Sequence, residues 1–150
     1  MSQYEEISGP EGLLPEWPVN LVREFSRESQ VDFEINFYRS ILEADPNYAE
    51  VLRVLASNLA AKSLHEESLE IDQRLVRLRP HDQVALYNLA CSFSMVGMID
   101  LSLEYLRRSI DSGYCEFKYM QYDDDLTALR QDPRFHELLI ELGITPEPEF

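Results

Sequence analysis

Between Ala49 and Tyr114 the chain says nearly the same thing twice, and this repetition limits the fold more than any other feature. Leu52, Leu55, Ala56 and Leu59 recur as Leu86, Leu89, Ala90 and Phe93, and Ser68 recurs as Ser102, at a constant offset of 34 residues (86 − 52, 102 − 68). Pro46 and Pro80 keep the same offset, each behind a strongly helical run, so the punctuation repeats along with the apolar pattern. Within the first copy, Val51, Leu52, Leu55 and Leu59 predict a helix over 48–61. Leu69, Ile71, Leu75 and Leu78 predict a second over about 65–78. In the second copy Leu86, Leu89, Ala90 and Phe93 face inward, Gly97 supplies the turn, and Leu103, Leu106 and Ile110 complete the pair before Gly113 stops it. Asn47 and Asp82 are the expected N-caps, and Arg74, Arg77 and Arg79 suit the negative pole of their helix. Helices joined by turns of a few residues lie antiparallel, and one pair cannot bury both of its faces. Successive pairs therefore have to stack.

The flanks follow from local signals. Gly9, Pro10, Gly12, Pro15 and Pro18 deny a stable helix before about Val19, so residues 1–18 form an arm. Its Leu13, Leu14 and Trp17 are expected to pack on the body, with extension to a partner as the alternative. Leu21, Val22 and Phe25 predict a helix over 19–27. After a break near Ser29 a second helix follows, with Phe33, Phe37 and Ile41 on its buried face and Tyr38 beside them, ending at Asp45-Pro46. Past Gly113 the register loosens. A further helix is expected to begin over 116–122, and Asp123 to Asp125 form the acidic start of a short helix through Arg130. Asp132-Pro133 then caps and opens a helix over 134–142, with Phe135, Leu138 and Leu139 facing in. Residues 115–143 thus form the cap that an open stack needs over its last apolar face. Residues 144–150, with two prolines and two glutamates, are expected to be a loose tail.

The repeat resembles the tetratricopeptide repeat (TPR), a helix-turn-helix unit of about 34 residues with the pattern W-x2-L-G-x2-Y, A-x3-F, P. Leu52-x2-Leu55-Ala56-x2-Leu59, Ser68-x3-Asp72 and Pro80 fit it, as do Leu86-x2-Leu89-Ala90-x2-Phe93 and Ser102-x3-Leu106. A degenerate copy precedes them, with Leu21, Val22, Phe25, Tyr38 and Pro46 in place and Pro18 where the aromatic should stand. The resemblance covers about residues 15–114, and Asp123 to Leu139 looks like the terminal helices that often close bacterial members of the family. It implies an all-α fold: a short right-handed superhelical stack of antiparallel helix pairs, about three units, with C-terminal capping helices. Asp72 departs from the pattern, a charge where the family places a bulky apolar group. Either its helix turns slightly or Asp72 finds a partner among the nearby arginines, because a buried unpaired charge costs several kcal/mol.

By the same resemblance, the first helix of each pair lines a concave groove that takes an extended peptide or a helix of a partner. Carried over residue by residue, the wall shows Val19, Arg23, Ser26 and Arg27 from the first pair. Glu50, Arg53, Ser57 and Ala60 come from the second, and Val84, Tyr87, Asn88, Cys91 and Met95 from the third, with Lys118 continuing the line. Four basic residues stand there against one acid on a chain of net charge −15. That asymmetry predicts an acidic or C-terminal carboxylate-bearing segment held by charge-assisted hydrogen bonds from Arg23, Arg53 and Lys118. The alternative is that the arginines pair with neighbours such as Glu50 and merely solvate the wall. Family members that grip a chaperone's C-terminus use Lys, Asn and Arg on these helices. Asn88 matches that set, whereas Val54 stands where the preceding repeat would carry its Asn.

The net charge of −15 repels nucleic acid and anionic membranes. The acidic start MSQYEE lacks the basic region of a secretory signal and no apolar run approaches a membrane span, which reads as cytoplasmic. Cys91 and Cys115 are too few and too far apart for a metal knuckle or disulfide framework and are expected to be small, partly buried side chains. His65, His81 and His136 fall in a turn, an inter-repeat loop and the cap, and nothing pairs them. Asp123 to Asp125 fan out on a helix start, which suits capping better than metal binding. No phosphate loop, nucleophile elbow or HExxH pattern occurs. The expectation is therefore a scaffold or chaperone-like adaptor with no catalytic residues, metal or cofactor. The alternative is a self-assembly module that uses the arm or the ends of the stack.

Overall fold

The computed structural model describes residues 19–145, with side chains described from residue 30 onward. The expectations for the arm at 1–18 and for residues 146–150 of the tail lie outside the described residues. What is described contains helices and no strand: α1 (Val19–Ala44), α2 (Ala49–Ala61), α3 (His65–Leu78), α4 (Gln83–Met95) and α5 (Ile99–Asp111) are followed by shorter pieces. These are α6 (Phe117–Met120), a 3-10 turn (Asp124–Leu126), α7 (Thr127–Arg130) and α8 (Pro133–Glu141). Helices α2 with α3 and α4 with α5 form the two hairpins, α3 packs on α4, and the cap closes over α4 and α5. The all-α stack of helix pairs is as expected.

The repeat offset reappears as repeated contacts. Leu52, Leu55 and Leu59 are buried in one cluster with Leu75 and Leu86, and Ala90 and Leu106 anchor a second cluster with Met120, Leu126, Leu129 and Phe135. Ser68 Oγ donates to the Ala56 carbonyl at 3.0 Å, and Ser102 Oγ donates to the Ala90 carbonyl at 2.7 Å. Both partners of that bond recur at the offset of 34. A small side chain lets the two helices of a hairpin approach, and the hydroxyl is satisfied without water.

The helix ends repeat as well. The Leu64 N–H reaches the Leu59 carbonyl at 2.9 Å, and one unit later Met98 reaches Phe93 at 2.9 Å, the paired-bond closure that needs a left-handed residue between. Gly97 supplies it with φ +78°, whereas the first unit makes the same turn with Ser63 at φ +59°. Asp82 caps α4 as expected, accepting from the Val84 and Ala85 N–H groups at 3.0 and 2.9 Å. Asp132 accepts from the Arg134 N–H at 2.9 Å, with Pro133 opening α8.

Five expectations are corrected. Helix α1 is continuous over 26 residues, so the degenerate first pair is one helix with no break at Ser29. No Gly or Pro lies between Val19 and Ala44 to interrupt it. Its inward stripe is Val31, Ile35, Tyr38 and Leu42 with Ile41 beside them, while Phe33 and Phe37 are 69% and 50% exposed. Aromatics lie on both sides of this helix, and the docking of α2 selects the side that is buried. Asn47 does not cap α2: its own N–H bonds Asp45 Oδ1 at 3.2 Å, and Tyr48 precedes the helix without a side-chain cap. Leu78 stays exposed, and Cys115 is exposed where Cys91 is buried.

Candidate functional site

Helices α2 and α4 stand side by side with their inner faces turned to a cavity of about 570 Å³. From α2 come Ala56, Ser57 and Ala60; from α4 come Val84, Tyr87, Asn88, Cys91 and Met95, spaced so that one stripe faces the space. The opposite wall is irregular, since after Gly113 the chain leaves the repeat register. It supplies Tyr114, Glu116, Tyr119, Asp123 and Asp125. Asp72 reaches the cavity from α3.

Of the residues expected to bind, Ser57, Tyr87, Asn88 and Cys91 are brought together on this wall. Arg53 is not among the lining residues; its guanidinium pairs with the Asp82 carboxylate at 2.6 Å, beside the start of α4. The alternative of neighbour pairing is the one observed for Arg53, although Glu50 itself pairs with Arg79 at 3.3 Å. Lys118 is exposed on α6 and also outside the lining set. Arg23 and Arg27 sit on the N-terminal part of the continuous α1 instead of a separate inner helix, and their side chains lie outside the described residues.

The charge of the cavity is the reverse of the expected one. Its described lining holds four carboxylates, Asp72, Glu116, Asp123 and Asp125, with the His65 imidazole and no Lys or Arg. Counting charge on the inner helices alone missed this, because every one of these acids comes from outside them.

Asp72 is 3% exposed. Its Oδ2 accepts from Ser92 Oγ at 2.7 Å, so its partner is a hydroxyl and not an arginine, and its Oδ1 has no partner. Burial pushes this carboxyl up to about 6, against the pull of the Ser92 bond and the Arg53 charge. Asp123 works in two directions. Oδ1 caps the 3-10 turn by accepting the Asp125 N–H at 3.0 Å, and Oδ2 accepts the Tyr87 hydroxyl at 2.7 Å. Cys91 Sγ lies 3.8 Å from the same Oδ2.

Tyr87 stacks on Tyr114 with ring centroids 4.3 Å apart. Burial, then the neighbouring Cys91 and Asp123, push the Tyr87 phenol far up; burial takes Tyr114 up to about 12. Burial and the charge of Asp123 raise the Cys91 thiol well above its ordinary range, so it stays protonated and is no thiolate nucleophile at neutral pH. At Asp125 burial and Asp123 raise the carboxyl while His65 pulls it down. The arrangement can accept hydrogen bonds and stabilise positive charge. Among the described residues no group of three or more His, Cys, Asp or Glu is placed to hold a metal ion. No helix there is long and apolar enough to cross a membrane.

Sequence reasoning assigned Asp123 to capping, which it does, without its second role toward Tyr87. For Glu116, Tyr119 and Asp125 there was no periodic signal to find. Asp72 did carry one, as an acid at an apolar position of the repeat.

No protein-family model matches the chain. A stretch of 78 residues, 50% of the chain, is 35% identical to a chloroplastic protein of Arabidopsis thaliana, and the match spans 23% of that protein's length. The crystal structure of MamA, a TPR-like protein, matches with a TM-score of 0.57 at 22% identity, over 80% of this chain and 63% of that one. The chain thus spans less than a quarter of the one and less than two thirds of the other. At that identity the likeness speaks for architecture: the fold is a TPR-like stack of helix pairs.

Proposed function

We propose that the protein is an interaction scaffold that lays an extended peptide, or a helix, of a partner protein against the inner faces of α2 and α4, and that it acts by binding and not by turnover. One observation carries this reading. The stripe of Ser57, Ala60, Val84, Asn88 and Met95 opens on a cavity of about 570 Å³ that the described residues leave unfilled. Small side chains there let a backbone come close, and Asn88 offers both a donor and an acceptor to it.

Ser57 is exposed and lines the cavity, so Ser57→Trp fills the groove without removing a buried contact. Peptides selected for binding from a displayed random library are expected to lose affinity for this variant by about tenfold or more, ~1.4 kcal/mol. The melting temperature stays near that of the parent. Equal affinity for both proteins removes the groove as the site.

Self-assembly is favoured by a different observation, the exposed Phe33 and Phe37, whose rings stack 6.2 Å apart. Sedimentation of the parent and of the double variant Phe33→Ser, Phe37→Ser decides it. Assembly requires a concentration-dependent oligomer that the double variant lacks, and a parent that is monomeric throughout excludes it.

A further inference from the structure

Resting on the groove as the peptide site, we infer that it selects a basic segment, seating the ammonium or guanidinium of a partner's Lys or Arg against Asp72, Asp123 and Asp125.

The described lining holds four carboxylates and no Lys or Arg, so any positive charge that balances them has to arrive from outside the lining or from a ligand. An acidic cluster alone says little, but Asp72 adds an independent observation. It is 3% exposed, it lines the cavity, and its Oδ1 has no hydrogen-bond partner. Nothing in the repeat requires an acid there. The equivalent position one unit later, 34 residues on, is Leu106, which is fully buried. Leucine satisfies the packing, so the charge in the first unit is an exception kept against a desolvation cost. A cation seated in the cavity beside Asp72 offsets that cost through its charge, which acts strongly at short range in a partly desolvated site.

The rest of the wall suits the same guest. Asp123 holds the Tyr87 hydroxyl on Oδ2 and the Asp125 N–H on Oδ1, and the Arg130 guanidinium, which is not among the lining residues, binds its backbone carbonyl; the carboxylate itself faces the cavity with neutral donors only. Asp125 stands exposed at the rim. Ala60, Val84 and Met95 offer apolar surface to the methylene stem of a lysine or arginine, and the exposed Tyr119 ring gives a face on which a cation can rest.

The test is fluorescence anisotropy with labelled six-residue peptides of lysine, of arginine and of glutamate, at physiological salt. The two basic peptides are expected to bind and the glutamate peptide not. Asp72→Asn and Asp125→Asn each weaken binding about tenfold, whereas Glu104→Gln, exposed on α5 and outside the cavity, stays within about twofold because a distant surface charge is screened. Asp125→Asn changes a rim residue, so it reports even if a substitution at buried Asp72 perturbs folding. Absence of basic-peptide binding overturns the inference, and so does an equal loss for Glu104→Gln, which reduces the effect to the net charge of −15. If uncharged or acidic library peptides bind instead and Ser57→Trp blocks them, the basic preference fails while the groove stands. If Ser57→Trp blocks nothing, the groove itself fails.

Discussion

Ser102→Leu is expected to lower the stability of the fold by about 3 kcal/mol, read as a fall of roughly 10 °C in the melting temperature followed by circular dichroism. Ser102 is 0% exposed and sits where α5 crosses α4. The larger leucine side chain has to displace its neighbours in a closed contact, which costs about 1–3 kcal/mol. The change also removes the hydroxyl bond to the Ala90 carbonyl, worth about 1 kcal/mol. Ser102→Ala removes the bond alone and costs only about 1 kcal/mol. Ser68 makes the same bond to Ala56 in the preceding unit, so Ser68→Leu is expected to behave alike. A Ser102→Leu protein that melts within about 2 °C of the parent contradicts the close approach of the two helices.

Asp72→Asn is expected to do the opposite at neutral pH and to remove a pH dependence. The native carboxyl titrates at about 6, against an ordinary value of 3.8. Between those values the native state binds more protons than the unfolded chain, so stability falls as pH rises through this window and stays reduced above it. The full difference is about 3 kcal/mol, from roughly two pH units at 1.36 kcal/mol each. Asparagine carries no charge at either end of the window, which removes the slope, but its amide leaves an unpaired N–H that returns about 1 kcal/mol. The variant is therefore more stable than the parent by about 1–2 kcal/mol at pH 7.5 and loses that advantage near pH 4. Urea unfolding of both proteins at the two pH values isolates Asp72, since every other titrating group is common to the pair. A variant less stable than the parent at pH 7.5 means the native carboxylate has a stabilising partner after all.

The repeating part of the fold was legible because periodicity is a local property with a global meaning. Leu52 and Leu86, Ser68 and Ser102 predicted one another: the two leucines are buried in one core cluster, and the two serines make equivalent bonds. Inner-wall residues such as Ser57, Asn88 and Cys91 were named from the resemblance to the tetratricopeptide repeat, and all three line the cavity. Where no repeat constrained the chain, the reading failed. In α1 two faces were both apolar, and only the position of α2 chose Ile35 and Tyr38 over Phe33 and Phe37. The sign of the cavity's charge was hidden more deeply. Arg53 was open to two readings, a groove cation or the partner of a neighbour such as Glu50, and it is Asp82, 29 residues away, that holds it; the acids of the cavity come from α3 and from a segment with no register.

The most direct test is a titration of the isotopically labelled protein with the six-residue lysine peptide, followed residue by residue in amide NMR spectra. The account predicts that Ser57, Asn88, Tyr119 and Asp125 respond first and together, while exposed residues of the outer helices, Glu70 on α3 and Glu104 on α5, stay in place. Shifts confined to those outer helices, with the inner wall silent, contradict it.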